Sequence, residues 1–133
     1  MNQPDHKEHC MQSCIAACSY CHQVCLQTAL GHCLNTGGKH VEAEHFRLMM
    51  NCAEICQASA NFQLGDSVFH QRVCEVCADI CEACAVSCEN IGGMDECVKA
   101  CRDCAESCRH MASNKIGHHT DYKPVEIINR AQP

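Results

Sequence analysis

The sequence predicts an all-α protein, an antiparallel four-helix bundle with a cysteine-lined core and an irregular C-terminal tail. Three observations predict it. Cysteine, joined by His and Met, recurs at three- and four-residue steps in four stretches, the spacing that holds a side chain on one face of a helix. Gly-bearing turns, Asn35-Thr36-Gly37-Gly38, Gln63-Leu64-Gly65-Asp66 and Asn90-Ile91-Gly92-Gly93, separate those stretches. A chain of 133 residues is long enough for one buried core and too short for two.

The first helix is expected over about residues 5–35, opened by an Asp5-x-x-Glu8 capping box that satisfies orphan amide donors. Its inward stripe runs from Met11 or Cys10 through Cys14, Cys18, Cys21 and Cys25 and, after Thr28, to His32, with Cys33 beside it. The second spans about 40–61 and is poorer in sulfur: His45, Met49, Cys52 and Cys56. The third, about 66–90 with Asp66 or Ser67 as N-cap, carries His70, Cys74, Cys77, Cys81, Cys84 and Cys88. The fourth, about 94–112 with Asp95 as a cap, carries Met94, Cys97, Cys101, Cys104, Cys108 and Met111. Residues 1–112 thus form the bundle. Periodicity ends at Ser113, and 113–133 read as an irregular tail whose Val125-Glu126-Ile127-Ile128 run is its one apolar segment.

Leu, Ile, Val and Phe total only 23 residues, a level that by itself leans towards disorder. The 17 cysteines reverse that lean, because a free Cys behaves as a small buried hydrophobe. A disulfide scaffold does not fit. Residues 1–7 have neither the basic segment nor the apolar run of a secretory signal, so the chain is expected in the cytosol, where thiols stay reduced. An odd cysteine count cannot pair fully. Helical neighbours at i,i+3 or i,i+4 have Cβ atoms about 5–6 Å apart, wider than the roughly 3.5–4.5 Å of a disulfide.

Between the sulfurs lie Glu54, Glu75, Asp79, Glu82, Lys99, Arg102, Asp103 and Glu106, which supply the solvated face. A formal charge of −6 with scattered Lys and Arg leaves no basic footprint for nucleic acid. No segment approaches the roughly 18 apolar residues that span a membrane.

So many thiols in register demand a chemistry that needs sulfur, because Cys packs no better than Ala or Val and brings oxidation and metal reactivity. The four C-x-x-C pairs, Cys18/Cys21, Cys74/Cys77, Cys81/Cys84 and Cys101/Cys104, lie within helices and not at the helix N-terminus that activates a redox thiol. No substrate cleft or activated residue suggests an enzyme. Thiolates and thioethers select soft ions, chiefly Cu(I), with zinc and iron–sulfur clusters as competitors. Met49, Met94 and Met111 prolong the seams and favour Cu(I), since zinc is held by Cys, His and carboxylate. The bacterial ferredoxin run is absent. A zinc or general soft-metal buffer stays open as the alternative. The expected ligands of multiple Cu(I) ions are Cys10, Cys14, Cys18, Cys21, Cys25, Cys33, His45, Met49, Cys52, Cys56, Cys74, Cys77, Cys81, Cys84, Cys88, Met94, Cys97, Cys101, Cys104 and Cys108.

In the number and register of these seams over roughly residues 5–112, the chain resembles the bacterial cytosolic copper storage proteins. The resemblance implies a homotetramer of four-helix bundles, with Cu(I) held along each core by thiolates and a few His or Met at one open end. The second helix, with two cysteines, is a lean member of that pattern. One pole of the bundle gathers His32, Cys33, His40, His45, Met49 and Met94. The other gathers His9, Cys10, Met11, His70, His110 and Met111. The first is preferred as the mouth because His45, Met49 and Cys52 form one stripe from rim to core, and because the resemblance places the mouth there. His118 and His119 sit in the tail and are treated as incidental. No copper donor or acceptor protein is identifiable.

Overall fold

A computed structural model describes residues 6–113, with side chains from Cys10 onward. The Asp5 cap, the side chain of His9, the segment 114–133 with its Val125–Ile128 run, and His118 and His119 lie outside the described residues. Helix α1 (His6–Gln27) passes without a break into a π-helical segment, Thr28–Cys33, and a last α turn, Leu34–Thr36. A 3-10 turn, Gly38–Val41, leads to α2 (Ala43–Leu64), followed by α3 (His70–Ile91) and α4 (Asp95–Ser113).

The helical runs ending at Thr36 and Ile91 stop at glycines. The Gly37 amide donates to the Cys33 carbonyl and the Gly92 amide to the Cys88 carbonyl, both at 2.9 Å. The backbone then turns to φ 72°, ψ −157° at Gly37 and φ 89°, ψ 162° at Gly92, a region open essentially to glycine alone. These two turns lie at the same pole.

Three boundaries differ from the sequence reading. The 3-10 turn and an extended Glu42 (φ −60°, ψ 141°) occupy the residues before Ala43, so α2 starts later than about 40. It also runs on to Leu64 instead of stopping near 61, because Ser59 and Gln63 continue its buried stripe. Helix α3 starts at His70 rather than near 66. Asp66 takes a positive φ of 51°, and the Phe69 amide donates to Ser67 Oγ at 3.0 Å, so Ser67 organises the loop rather than the helix's first turn.

Around the bundle α1 packs on α2, α2 on α3, α3 on α4 and α4 back on α1, the up-down-up-down arrangement. Beside the cysteines the buried apolar residues are Ala29, Ala53, Ala60, Ala78, Ala85, Ala100, Ala105, Val24, Met49, Met94 and Met111. Alanines at the flanks bring the helices close, and sulfur fills the centre. Arg109 reaches Asp79 and Glu82, and Arg102 reaches Glu89, pairing the solvated faces of α4 and α3. No described helix is long and apolar enough to cross a membrane.

Candidate metal centre

All seventeen cysteines are free thiols, sixteen of them buried and Cys10 partly exposed. Their sulfurs form a column along the bundle axis. From the pole of the α2–α3 turn upward, sets of sulfurs lying within 4.8 Å of one another are Cys14/Cys74/Cys108, Cys18/Cys77/Cys104/Cys108, Cys21/Cys56/Cys81/Cys104, Cys21/Cys25/Cys52/Cys101 and Cys25/Cys84/Cys97/Cys101. Each set shares at least one cysteine with the next: Cys108, then Cys104, then Cys21, then Cys25 with Cys101. Direct Sγ···Sγ contacts knit the sets, at 3.5 Å for Cys18–Cys108, 3.6 Å for Cys18–Cys104, 3.4 Å for Cys56–Cys81 and 3.5 Å for both Cys25–Cys101 and Cys25–Cys97. The three–four spacing causes this directly, because consecutive seam residues on one helix stack about one turn apart and meet the same layer of the facing helices.

At the upper pole the column ends in thioethers. Met49 Sδ lies 3.3 Å from Cys88 Sγ and 3.5 Å from Cys84 Sγ, and Met94 Sδ lies 3.7 Å from Cys33 Sγ. Cys88 reaches back to Cys97 at 3.9 Å, and Cys33 faces His40 Nδ1 at 3.9 Å. His45 is buried, with Nδ1 2.7 Å from Ser87 Oγ, while its Nε2 has no partner among the described residues. At the lower pole Cys10 Sγ lies 3.5 Å from His110 Nε2, outside the overlapping sets. His70 is buried with Nδ1 2.8 Å from the Ser67 carbonyl, and Met111 is fully buried.

One expected stripe is corrected. Beyond Cys25 the inward positions of α1 are Ala29 and Cys33, whereas His32 is exposed and Thr28 only partly buried. The π-helical segment inserts an extra residue into the turn and rotates the following side chains. His32 instead packs edge-on against His40 at the surface, their ring centres 4.9 Å apart. Sequence reasoning also missed Ser59 and Gln63. They extend the α2 stripe at the same step, 45, 49, 52, 56, 59, 63, and the signal was legible once oxygen and amide groups were counted beside sulfur.

Burial opposes charge in this interior. It pushes the Cys33 thiol above its ordinary value, and the neighbouring Cys97 and Cys84 add to the rise. Deeper in, hydrogen bonds divide the thiols: the contact between Cys101 and Cys21 is the first reason that Cys101 is held up and Cys21 held down. Burial holds His45 below the usual imidazole range, so it is neutral near pH 7. The Nδ1 contact with Ser87 orients the neutral ring and leaves Nε2 buried without a hydrogen-bond partner among the described residues.

This donor set fits soft, low-coordinate cations. Its core is sulfur, with buried thioethers at both ends, Met49 and Met94 above and Met111 below, and the carboxylates Glu54, Glu75, Asp79, Glu82 and Glu106 are all on the exposed face. Independent structural zinc sites are closed sets of four. Here neighbouring sets share ligands, which suits ions bridged by common thiolates.

The family model described as Csp, Copper storage protein, matches residues 6–113. The chain is 36% identical over 78 residues to the uncharacterized cysteine-rich protein YhjQ of Bacillus subtilis (strain 168), a match covering 56% of this chain and 65% of that one. It is also similar to the crystal structure of the Nmul_A1745 protein from Nitrosospira multiformis, with 60% identity, a TM-score of 0.78, and 80% and 97% of the two chains covered. A third similarity is to the Cu(I)-bound copper storage protein BsCsp3, with 37% identity, a TM-score of 0.73, and 78% and 99% covered.

Proposed function

Since this chain belongs to the copper storage protein family, we propose that it stores Cu(I), taking many ions into the thiol column of its bundle. The observation that carries the reading is the overlap of the five sulfur sets, each sharing a cysteine with the next. Shared thiolates let one sulfur serve two ions, so capacity is set by the length of the column and not by a count of separate four-ligand sites. The Cu(I)-bound relative supports the same ion. Of the predicted ligands, the fourteen cysteines of the five sets are proposed as the bridging core. Cys88, Cys33, Met49 and Met94 are proposed as upper terminal donors, with His45 at the rim and Cys10 at the lower rim.

Each Cu(I) that arrives replaces thiol protons, because the ligand is the thiolate. The chain's own residues do two things here. They keep the empty thiols neutral by burial, and they hold sulfurs at distances that an ion can bridge without repacking the helices. Several further readings accompany this one. The chain works in the cytosol, the compartment that keeps thiols reduced. It assembles as a homotetramer, consistent with exposed Leu30, Leu34, Val76 and Val86. It acts by sequestration, without catalysis. Copper is admitted at the upper pole, where His45 and Met49 lead to Cys52.

Anaerobic competition between Cu(I) and Zn(II) tests the identity of the ion. Reduced protein loaded to saturation with Zn(II) is expected to release it fully when Cu(I) is added. Retention of Zn(II) against stoichiometric Cu(I) would favour a zinc buffer instead.

A further inference from the structure

The lower end of the column differs from the rest in chemistry. Through its middle, Cys21, Cys25, Cys52, Cys56, Cys77, Cys81 and Cys101 meet other sulfurs. Around Cys14, Cys74 and Cys108 the sulfurs meet oxygen and nitrogen as well as sulfur, with Cys14 Sγ 3.7 Å from Cys108 Sγ. Ser59 Oγ lies 3.4 Å from Cys18 Sγ, 3.6 Å from Cys74 Sγ and 3.9 Å from Cys108 Sγ. Gln63 Nε2 lies 3.4 Å from Cys14 Sγ, 3.9 Å from Cys18 Sγ and 3.2 Å from Ser59 Oγ. The amide's orientation is fixed by the Ser59 carbonyl, 3.3 Å from Nε2, since a carbonyl only accepts.

Gln63 is fully buried, at 1% exposure, and Ser59 at 0%. Gln63 Oε1 has no partner among the described residues. A buried amide with one end unsatisfied destabilises a fold relative to an apolar side chain of its size. In the empty bundle the Nε2 bonds to Ser59 and Cys14 are offset by the unpaired Oε1, so Gln63 adds little to the apo fold over an apolar side chain of its size, and its N–H is aimed at sulfur.

Charge explains what it does. One Cu(I) held by three thiolates leaves a net charge of −2 in a buried site. Along the middle of the column, shared thiolates spread such charge over several ions. The Cys14/Cys74/Cys108 set stands at the end, with a neighbouring set on one side only. There an N–H and an O–H supply what a further cation would.

We propose that Ser59 and Gln63 form a hydrogen-bond-donating cap over Cys14, Cys74 and Cys108, and that this cap makes the lower end of the column a distinct three-thiolate Cu(I) site which holds its ion most tightly. The proposal rests on the Cu(I) storage reading. It deepens that reading by giving the column a direction: a tight floor at Gln63 and weaker thioether sites at Met49 and Met94.

The test uses the reduced, full-length protein and its Gln63→Met and Ser59→Ala variants, fully loaded with Cu(I) and challenged anaerobically with a strong Cu(I) chelator. The last ion removed from the parent is expected to come off about tenfold more readily in either variant, the scale of a lost hydrogen bond to a charged acceptor. Total capacity and the more weakly held ions should be unchanged. Thermal unfolding of the metal-free Gln63→Met variant should occur at the same temperature as the parent or higher, which a merely structural Gln63 would not permit. A double-mutant cycle locates the effect: in a Cys14→Ser background, Gln63→Met should change retention little. Retention of the last ion unaltered in both variants, or an undiminished Gln63→Met effect in the Cys14→Ser background, would overturn the cap. A parent that takes up no Cu(I) would defeat the storage reading itself, which separates the two failures.

Discussion

At the scale of the residue, the positions with most influence are those shared between sulfur sets. Cys101 belongs to two sets and lies 3.5 Å from Cys25 and 3.8 Å from Cys52, whereas Cys33 belongs to none. Cys101→Ala should therefore remove more Cu(I) per protein than Cys33→Ala, by metal analysis after gel filtration; equal losses would argue that the ions sit in independent sites. At the upper rim, Met49→Leu keeps the volume and removes the thioether beside Cys84 and Cys88. Apo stability should fall by less than about 1.5 kcal/mol, as for other volume-conserving swaps. Pairing His45→Ala with Met49→Ala should slow Cu(I) loading in stopped flow and leave total capacity little changed, whereas His70→Ala with Met111→Ala should leave the rate nearly unaltered. A slowdown confined to the second pair would move the mouth to the lower pole. Protons give a further handle at Cys33. Its folded value lies above the ordinary 9.0, so its contribution to apo stability is complete below pH 9 and is lost as pH climbs through the raised value. Metal-free, reduced protein should unfold at a lower temperature at pH 10.5 than at pH 7, with a smaller difference in Cys33→Ala.

At the scale of the element, the helices show why so much was legible from sequence. A single residue type marks the inward face, so the step pattern in α3, Cys74 to Cys88, and in α4, Cys97 to Cys108, gives helix, face and register together. The same pattern in α1 failed past Cys25. The π-helical segment depends on local backbone hydrogen bonding that no side-chain periodicity encodes, and it exchanged His32 for Cys33 at the inward position. The lower half of α2 was legible in principle, but Ser59 and Gln63 resemble surface residues by type and reveal themselves only by their step from Cys56. Helix ends were read least well, since Ser67 organises a loop in which the N-cap of α3 had been expected. The alanine flanks carry a prediction of their own. Ala78 and Ala85 are buried on α3 beside the thiols. Ala85→Leu should overpack the bundle and destabilise the apo protein by about 1–3 kcal/mol in chemical denaturation. No loss of stability would mean that the helices are looser than this packing indicates.

At the scale of the whole molecule, the bundle fills its core with groups that pack as small hydrophobes when protonated and offer soft-metal ligands when ionised. Protonated thiols pack as small apolar side chains, so the apo protein needs no metal to fold. It should show strongly helical circular dichroism and cooperative thermal unfolding when reduced and metal-free at pH 7; a disordered apo spectrum would mean that the metal builds the fold. On the storage reading, the fourteen thiols of the overlapping sets serve as one extended site. The most direct test is an anaerobic Cu(I) titration of the reduced protein, with unreacted thiols counted at each point by a thiol reagent. Thiolates that each serve about two ions predict uptake on the order of ten to twenty Cu(I) per chain, with reactive thiols vanishing as the column fills. Saturation at four ions or fewer, with most thiols still reactive, would contradict a continuous copper store.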